Sequence, residues 1–338
     1  MRIIFKNCTL LDGTRDMAAR ENIDVAIEND KIVEIGKIEQ KKEDKIIDLT
    51  GKYLMPGLIN LHVHLPAGGK PQKKPLKADF LSKLALSSAF MRKFTLNMCH
   101  GYAMQGLMSG VTTIRTVGGL DDIDSKLRDK INAGQLDGPR ILASNFAIGV
   151  TNGHMVGSVA RAADTPEEAA KMVDELIAKK SDLIKLMVTG GVMDAKVKGE
   201  PGVLMMKGDM IKACCDRAHE HGLKVAAHVQ SPEGVRTAVG NGVDSIEHGS
   251  TLTQAEIDTF KAHDAVLICT LSPALPMAKF ERETLGISEV VQYNSNVVFN
   301  NMVKGAKTAL ENGVRVGLGT DTGCPYTTHY NMWRELHY

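Results

Sequence analysis

From Met1 to about Leu54, apolar and polar residues alternate in short runs, IIFKNCTLL, IDVAIENDKIVEIG and KIIDLTGKYL. The clusters Leu11-Asp12-Gly13 and Glu28-Asn29-Asp30 break these runs as turns would. Alternation with period two predicts half-buried strands, so residues 1–55 are assigned to a small, β-sandwich-like domain. From Pro56 onward, strand-length apolar runs alternate with longer stretches of helical period, the pattern of repeated βα units around a parallel sheet. The runs are LINLHVHL, VTTIRTV, RILASN, LIKLMVT, KVAAHV, VDSIEHG, AVLICT and VRVGLGTD. Eight is the count of a closed (β/α)8 TIM-like barrel, and the α/β barrel is assigned to residues 56–338. Thr165-Pro166-Glu167-Glu168 and Ser231-Pro232-Glu233 read as helix starts, and Thr253-Gln254-Ala255-Glu256 as a capping box. Lys70–Lys77, KPQKKPLK, reads as a solvated loop after the first barrel strand.

Composition narrows the class of partner. Hydrophobic residues make up 43% of the 338 and charged residues 24%, ordinary values for a globular protein. With 41 basic and 40 acidic residues the net charge is +1, which gives no electrostatic case for nucleic acid or an anionic membrane. A small-molecule or dipeptide substrate and a homo-oligomeric assembly are expected instead. Six cysteines without a CxxC pair suit free thiols in a reducing compartment. The N-terminus lacks the apolar core and cleavage site of a signal peptide, and no stretch reaches about 18 uninterrupted apolar residues. A cytoplasmic enzyme with no membrane association is the expectation.

Candidate chemistry begins with PGLINLHVHLPAGG. On a strand, His62 and His64 point their rings to one face, whereas on a helix they would splay by about 200°. Alone, the pair fits core histidines as well as a metal site. Lys185 interrupts LIKLMVTGG, a run that should be buried on both faces, where an unpaired ammonium is costly. It either snorkels, finds a salt bridge or has a chemical role. KVAAHVQ, SIEHGS and GLGTDTG then place His228, His248 and Asp321 at or near the ends of the fifth, sixth and eighth strands. In a barrel, strand ends converge at the C-terminal mouth. The six residues together suit two divalent metal ions, Zn2+ foremost, held by imidazole nitrogen and carboxylate oxygen.

The order PGLINLHVH, Lys185, His228, His248 and Asp321 resembles the binuclear metal-dependent amidohydrolase superfamily, from the β module through the eighth strand. The resemblance implies that CO2 carboxylates Lys185 and that the carbamate bridges two metals. His62, His64 and Asp321 would then hold one ion, and His228 and His248 the other. It further implies a bridging water as nucleophile, with Asp321 taking its proton and passing it to the leaving amine. GVTTIRTVGG, TNGHMVG, KLMVTGGVMDAKVKGE and AHVQSPEGVRTAVGNGVDSIEHG are similar to the branch containing Xaa-Pro dipeptidases, arginine and lysine carboxypeptidases and ochratoxin-type amidases, with imidazolonepropionase more distant. In that branch a histidine like His154 contacts substrate and polarises the scissile carbonyl; otherwise it is a loop histidine capping local backbone.

Three departures touch the substrate shell. Asn152-Gly153-His154-Met155 stands where the family reads GGHG, Arg115-Thr116-Val117-Gly118-Gly119 where it reads RDxGG, and Gln230 where many relatives carry a second histidine. Arg115 fits either a substrate carboxylate or a structural salt bridge, and Tyr293 is a further candidate for the carboxylate. The family continues past the eighth strand with helices and a GxIxxGxxADLVV-like segment, whereas this chain ends at WRELHY. Helix eight is therefore expected to be truncated, the small domain incomplete and one barrel flank apolar. The expected function is hydrolysis of a C–N amide bond in a dipeptide or N-acyl amino acid. A cyclic amide or lactone hydrolase and an inactive barrel scaffold are the alternatives.

Overall fold

In the computed structural model, which describes residues 1–71, 78–330 and 332–338, the N-terminal alternating runs become five strands. These are β1 (Arg2–Leu10), β2 (Arg20–Glu28), β3 (Lys31–Gly36), β4 (Lys45–Asp48) and β5 (Tyr53–Leu54). They form one mixed sheet in the order β3-β2-β1-β4, with β5 also pairing with β1. The Glu28-Asn29-Asp30 signal is the β2–β3 turn, where Asn29 takes a left-handed φ of 57°, a conformation asparagine tolerates. Ile4, Ala26 and Ile38 form one apolar cluster of this unit, and Cys8, Leu10 and Val25 another. The unit spans Met1–Leu58, and Ile59–Tyr338 form a second.

The second unit carries every barrel strand that the sequence pattern predicts. They are β6 (Leu58–Val63), β7 (Val111–Thr116), β8 (Arg140–Ala143), β11 (Leu183–Met187), β12 (Lys224–Val229), β13 (Ser245–His248), β14 (Val266–Cys269) and β15 (Val316–Leu318). Two short strands, β9 (Ala147–Gly149) and β10 (Ala160–Ala162), were not anticipated. They follow Asn145, whose left-handed φ of 59° turns the chain out of the β8 line. All the pairings are parallel within a seven-stranded sheet, β10-β9-β11-β12-β13-β14-β15, and β6-β7-β8 form a second sheet.

Backbone hydrogen bonds join the two sheets into a ring. Asp182 N–H donates to Ala143 O at 2.7 Å, linking β11 to β8. His64 N–H donates to Thr322 O at 2.8 Å and Asp321 N–H to His62 O at 2.9 Å, closing the chain after β15 onto β6. Asn60 fastens the same seam, accepting from Thr320 N–H at 3.1 Å and donating to Thr320 Oγ1 at 2.7 Å.

The surrounding helices start where their caps predict. Thr165 Oγ1 accepts from Glu168 N–H ahead of the helix Pro166–Ala178, and Ser231 Oγ from Gly234 N–H ahead of Pro232–Gly240. At the helix Gln254–Ala262, Glu256 accepts from both N–H and Oγ1 of Thr253 at 2.6 Å. The largest apolar cluster lies between these helices and β11–β14, whose strands are buried almost throughout. No helix among the described residues is long and apolar enough to cross a membrane. Of the expected Lys70–Lys77 loop, residues 72–77 lie outside the described residues.

At the C-terminal end, Trp333–His337 form a short helix. Its buried Glu335 accepts hydrogen bonds from Leu271 N–H, Ser272 N–H and Ser272 Oγ at the start of the helix Leu271–Lys279. Burial pushes the Glu335 carboxyl up to about 7.

The seam between β15 and β6 depends on a missing side chain. A Cβ at Gly319 would lie 2.4 Å from His62 Cβ and 3.0 Å from His62 N. Gly319→Ala should therefore cost about 1–3 kcal/mol through overpacking, read as a lower denaturant midpoint. An unchanged midpoint would show that this seam can open without penalty.

Candidate metal centre and active site

Strand ends determine where the candidate residues go. His62 and Lys185 project from inside β6 and β11, His228 and His248 from the ends of β12 and β13, and His64 and Asp321 from the segments just past β6 and β15. His248 and Asp321 both have left-handed backbones, φ 68° and 52°. For a histidine this conformation is unusual, and such strain is concentrated at functional sites. All six residues, together with His154, line one cavity of about 260 Å³.

The imidazole rings form a continuous chain. Ring centroids are 5.2 Å apart for His64 and His62, 4.8 Å for His62 and His248, 4.6 Å for His248 and His228, and 4.2 Å for His228 and His154. Asp321 Oδ1 lies 3.4 Å from His62 Nε2 and 3.2 Å from His64 Nε2. His62, His248 and Asp321 each offer one ligand atom within 4.8 Å of the others, a group that could hold a metal ion.

Hydrogen bonds decide which nitrogen of each ring is available. His64 Nδ1 lies 2.9 Å from Gly118 O, and His62 Nδ1 lies 2.8 Å from Glu247 Oε2. Both partners are acceptors at neutral pH, so the proton belongs on Nδ1 and the Nε2 lone pair stays free. His248 Nδ1 meets Thr270 Oγ1 at 2.6 Å. Burial pushes His62 down to about 4, against the pull of Asp321, and drives His228 and His248 well below the ordinary histidine range. The rings are therefore neutral, the form that binds metals.

Two further groups await partners. Lys185 Nζ and His228 Nε2 are buried without a hydrogen-bond partner among the described residues. Burial lowers the Lys185 ammonium to about 8, with Arg115 adding to the effect. Asp321 stays ionised well below the usual carboxylate range despite its burial, because His62 and His64 face it. Neutral imidazoles, one carboxylate and an unpaired amine around a polar centre fit a divalent-cation site.

Glu247 was not singled out from the sequence, yet it is the fully buried hub behind this centre. Besides His62, it accepts from Arg115 Nη2 at 2.6 Å and Ser245 Oγ at 2.8 Å. Although burial opposes ionisation, Arg115 and His62 hold its carboxyl far below the usual range. The available signal was a pair of opposite charges, in VTTIRTV and SIEHG, inside strands that are otherwise apolar.

The two expected carboxylate binders lie elsewhere. Arg115 donates from Nε to Leu61 O at 2.7 Å and from Nη1 to Ser245 Oγ at 3.0 Å, so with Glu247 each of its three nitrogens has a partner, and it does not line the cavity. Of its two possible roles, the structure shows the salt bridge, to Glu247. Tyr293, on the helix Glu289–Glu311, is 49% exposed, lies outside the cavity lining and has Lys198 Nζ 5.8 Å from its ring centre. Its helix leaves the ring half-exposed to solvent, apart from the residues that line the cavity.

His154 does reach the cavity. Its Nδ1 meets Asp194 Oδ2 at 2.5 Å, and Asp194 also accepts from Gly191 N–H at 2.8 Å. A Cβ on Gly191 would lie 2.7 Å from His154 Cε1, so the glycine makes room for the ring. Forty residues separate Asp194 from His154, and no local pattern joins them.

Comparison with known proteins agrees with this geometry. The amidohydrolase family model matches residues 53–338. The chain belongs to the amidohydrolase family. Among solved structures, this amidohydrolase is 27% identical to a Xaa-Pro dipeptidase with methionine bound in its active site, with a TM-score of 0.85 over 100% of this chain and 83% of the other. It is 34% identical to a Bifidobacterium longum protein provisionally named a prolidase, with a TM-score of 0.84 over 99% and 77%. Ochratoxinase of Aspergillus niger is 25% identical over 293 residues, covering 80% of this chain and 58% of that enzyme. The amidohydrolase chain thus spans 58% of the length of that curated relative.

The Arg115–Glu247 contact separates a structural from a substrate-binding role. Arg115→Met should destabilise the fold by about 3–5 kcal/mol in chemical denaturation, since it strands a buried carboxylate. Unchanged stability would favour the substrate-binding role for Arg115.

Proposed function

We propose that this chain is a metal-dependent hydrolase that cleaves the C–N amide bond of a dipeptide or N-acyl amino acid, in the manner of a Xaa-Pro dipeptidase. The observation that carries the reading is the convergence of four histidines, Asp321 and Lys185, whose Nζ has no hydrogen-bond partner among the described residues, on one cavity. The names of the relatives, Xaa-Pro dipeptidase and ochratoxinase, support the substrate class.

In this reading His62, His64 and Asp321 would hold one divalent ion and His228 and His248 a second, with Lys185 as a ligand shared by both. The Lys185 amine adds to CO2 and loses a proton, giving a carbamate anion where the bare side chain would place a cation against two others. The ions, Zn2+ by the donor set, supply Lewis acidity and a water of lowered pKa when bound. Asp321 accepts the proton of the attacking water and returns it to the leaving nitrogen. His154, oriented through Nδ1 by Asp194, binds the scissile carbonyl oxygen.

Protein purified with zinc and bicarbonate should carry about two metal ions per chain, and Lys185→Ala should lose most of them. Chelation should abolish cleavage of Xaa-Pro and N-acyl substrates, and zinc should restore it. A parent protein that binds no metal under these conditions would leave only a barrel scaffold. Asp194→Asn should keep its metal while kcat/KM falls about 10–100-fold. Full activity in this variant would remove His154 from the reaction.

A further inference from the structure

The cavity's composition restricts what can occupy it beyond the metal-ligand set. One wall comes from the segment after β11, which gives Val192 and Met193, and from the helices Leu271–Lys279 and Glu289–Glu311, which give Pro273, Met277, Val298 and Met302. Met187 adds a further thioether from the end of β11. Methionine side chains are flexible and polarisable, so such a wall adapts to apolar groups of varied shape.

The charged groups of the lining are few, and each is committed. Among the described lining residues there is no arginine, and the one lysine is Lys185. Among the described lining residues outside the metal-ligand set the only carboxylate is Asp194, whose Oδ2 accepts from His154 Nδ1 and Gly191 N–H. A cationic substrate side chain therefore meets, among the described lining residues, no carboxylate outside the metal-ligand set except Asp194, which is held against His154 and Gly191, and an anionic one meets no cation outside that set. Burying either unpaired against a methionine wall is costly.

Resting on the amide-hydrolase reading, we infer that the substrate carries uncharged side chains, at least one of them a flexible apolar chain seated on the methionine wall. This separates the protein from enzymes that remove arginine or lysine. Gln230 supplies a neutral polar contact in the same cavity, its buried Oε1 having no hydrogen-bond partner among the described residues. Such a group can accept from a substrate N–H without demanding a charge.

The test is a matched panel of dipeptides and N-acyl amino acids on the zinc-loaded protein, in which either half carries Ala, Leu, Met, Lys, Arg, Asp or Glu. Leu and Met should exceed Ala by at least about tenfold in kcat/KM at one position, since even one buried methylene discriminates by that order. Charged residues at either position should fall about a hundredfold below Leu. Met193→Glu, at a 56% exposed position that the fold tolerates, should raise Lys and Arg substrates at least about tenfold relative to Leu. Charged substrates cleaved within about threefold of Leu by the parent would overturn the inference while leaving amide hydrolysis intact. If nothing in the panel is cleaved, the amide-hydrolase reading itself fails. Calorimetric binding of Leu- and Lys-derived hydroxamates to the loaded protein then decides the apolar preference alone, equal affinities overturning it.

Discussion

The candidate site exists because the last barrel strand closes on the first. The bonds His64 N–H to Thr322 O and Asp321 N–H to His62 O hold the segment after β15 beside β6. Asn60 ties Thr320 to the same seam, and Gly319 lets the two backbones approach. Asp321 reaches His62 and His64 only through this closure, since 256 residues of sequence lie between His64 and Asp321. Ring closure by short-range backbone bonds thus converts distant sequence into a compact donor set, with the precision that a catalytic or metal site needs.

Burial then sets the chemistry of the donors. It keeps His62, His228 and His248 neutral and lowers the Lys185 ammonium, while Asp321 and Glu247 stay ionised because cations or imidazoles face them. Arg115 and Glu247 act from behind the site, where their ion pair supports the His62 ring from its Nδ1 side. Neutral rings in front and a paired carboxylate behind make the same arrangement that orients histidines in metal proteins generally.

Much of this was legible in the chain because parallel strands buried on both faces leave long apolar runs, against which Lys185, His228 and His248 stand out. The HxH pair was legible for the same reason, since period two aims both rings at one face. Glu247 and Asp194 were missed because their partners lie 185 and 40 residues away, and no local pattern records such a contact. Arg115 was ambiguous because a buried guanidinium looks alike in sequence whether its carboxylate belongs to a substrate or to Glu247. The half-exposed position of Tyr293 depends on helix packing that the local sequence does not show. The β9 and β10 strands follow a left-handed asparagine, Asn145, a turn that the apolar pattern does not reveal.

The central claim is that these six side chains form one metal centre built around Lys185. Its most direct test is anomalous diffraction from crystals grown with zinc and bicarbonate, with data collected on both sides of the zinc edge. The account predicts two zinc peaks among His62, His64, Lys185, His228, His248 and Asp321, with carbamate density continuous with Lys185 Nζ. Zinc peaks absent from this cavity, or bound with Lys185 left as an unmodified amine outside the coordination, would contradict it.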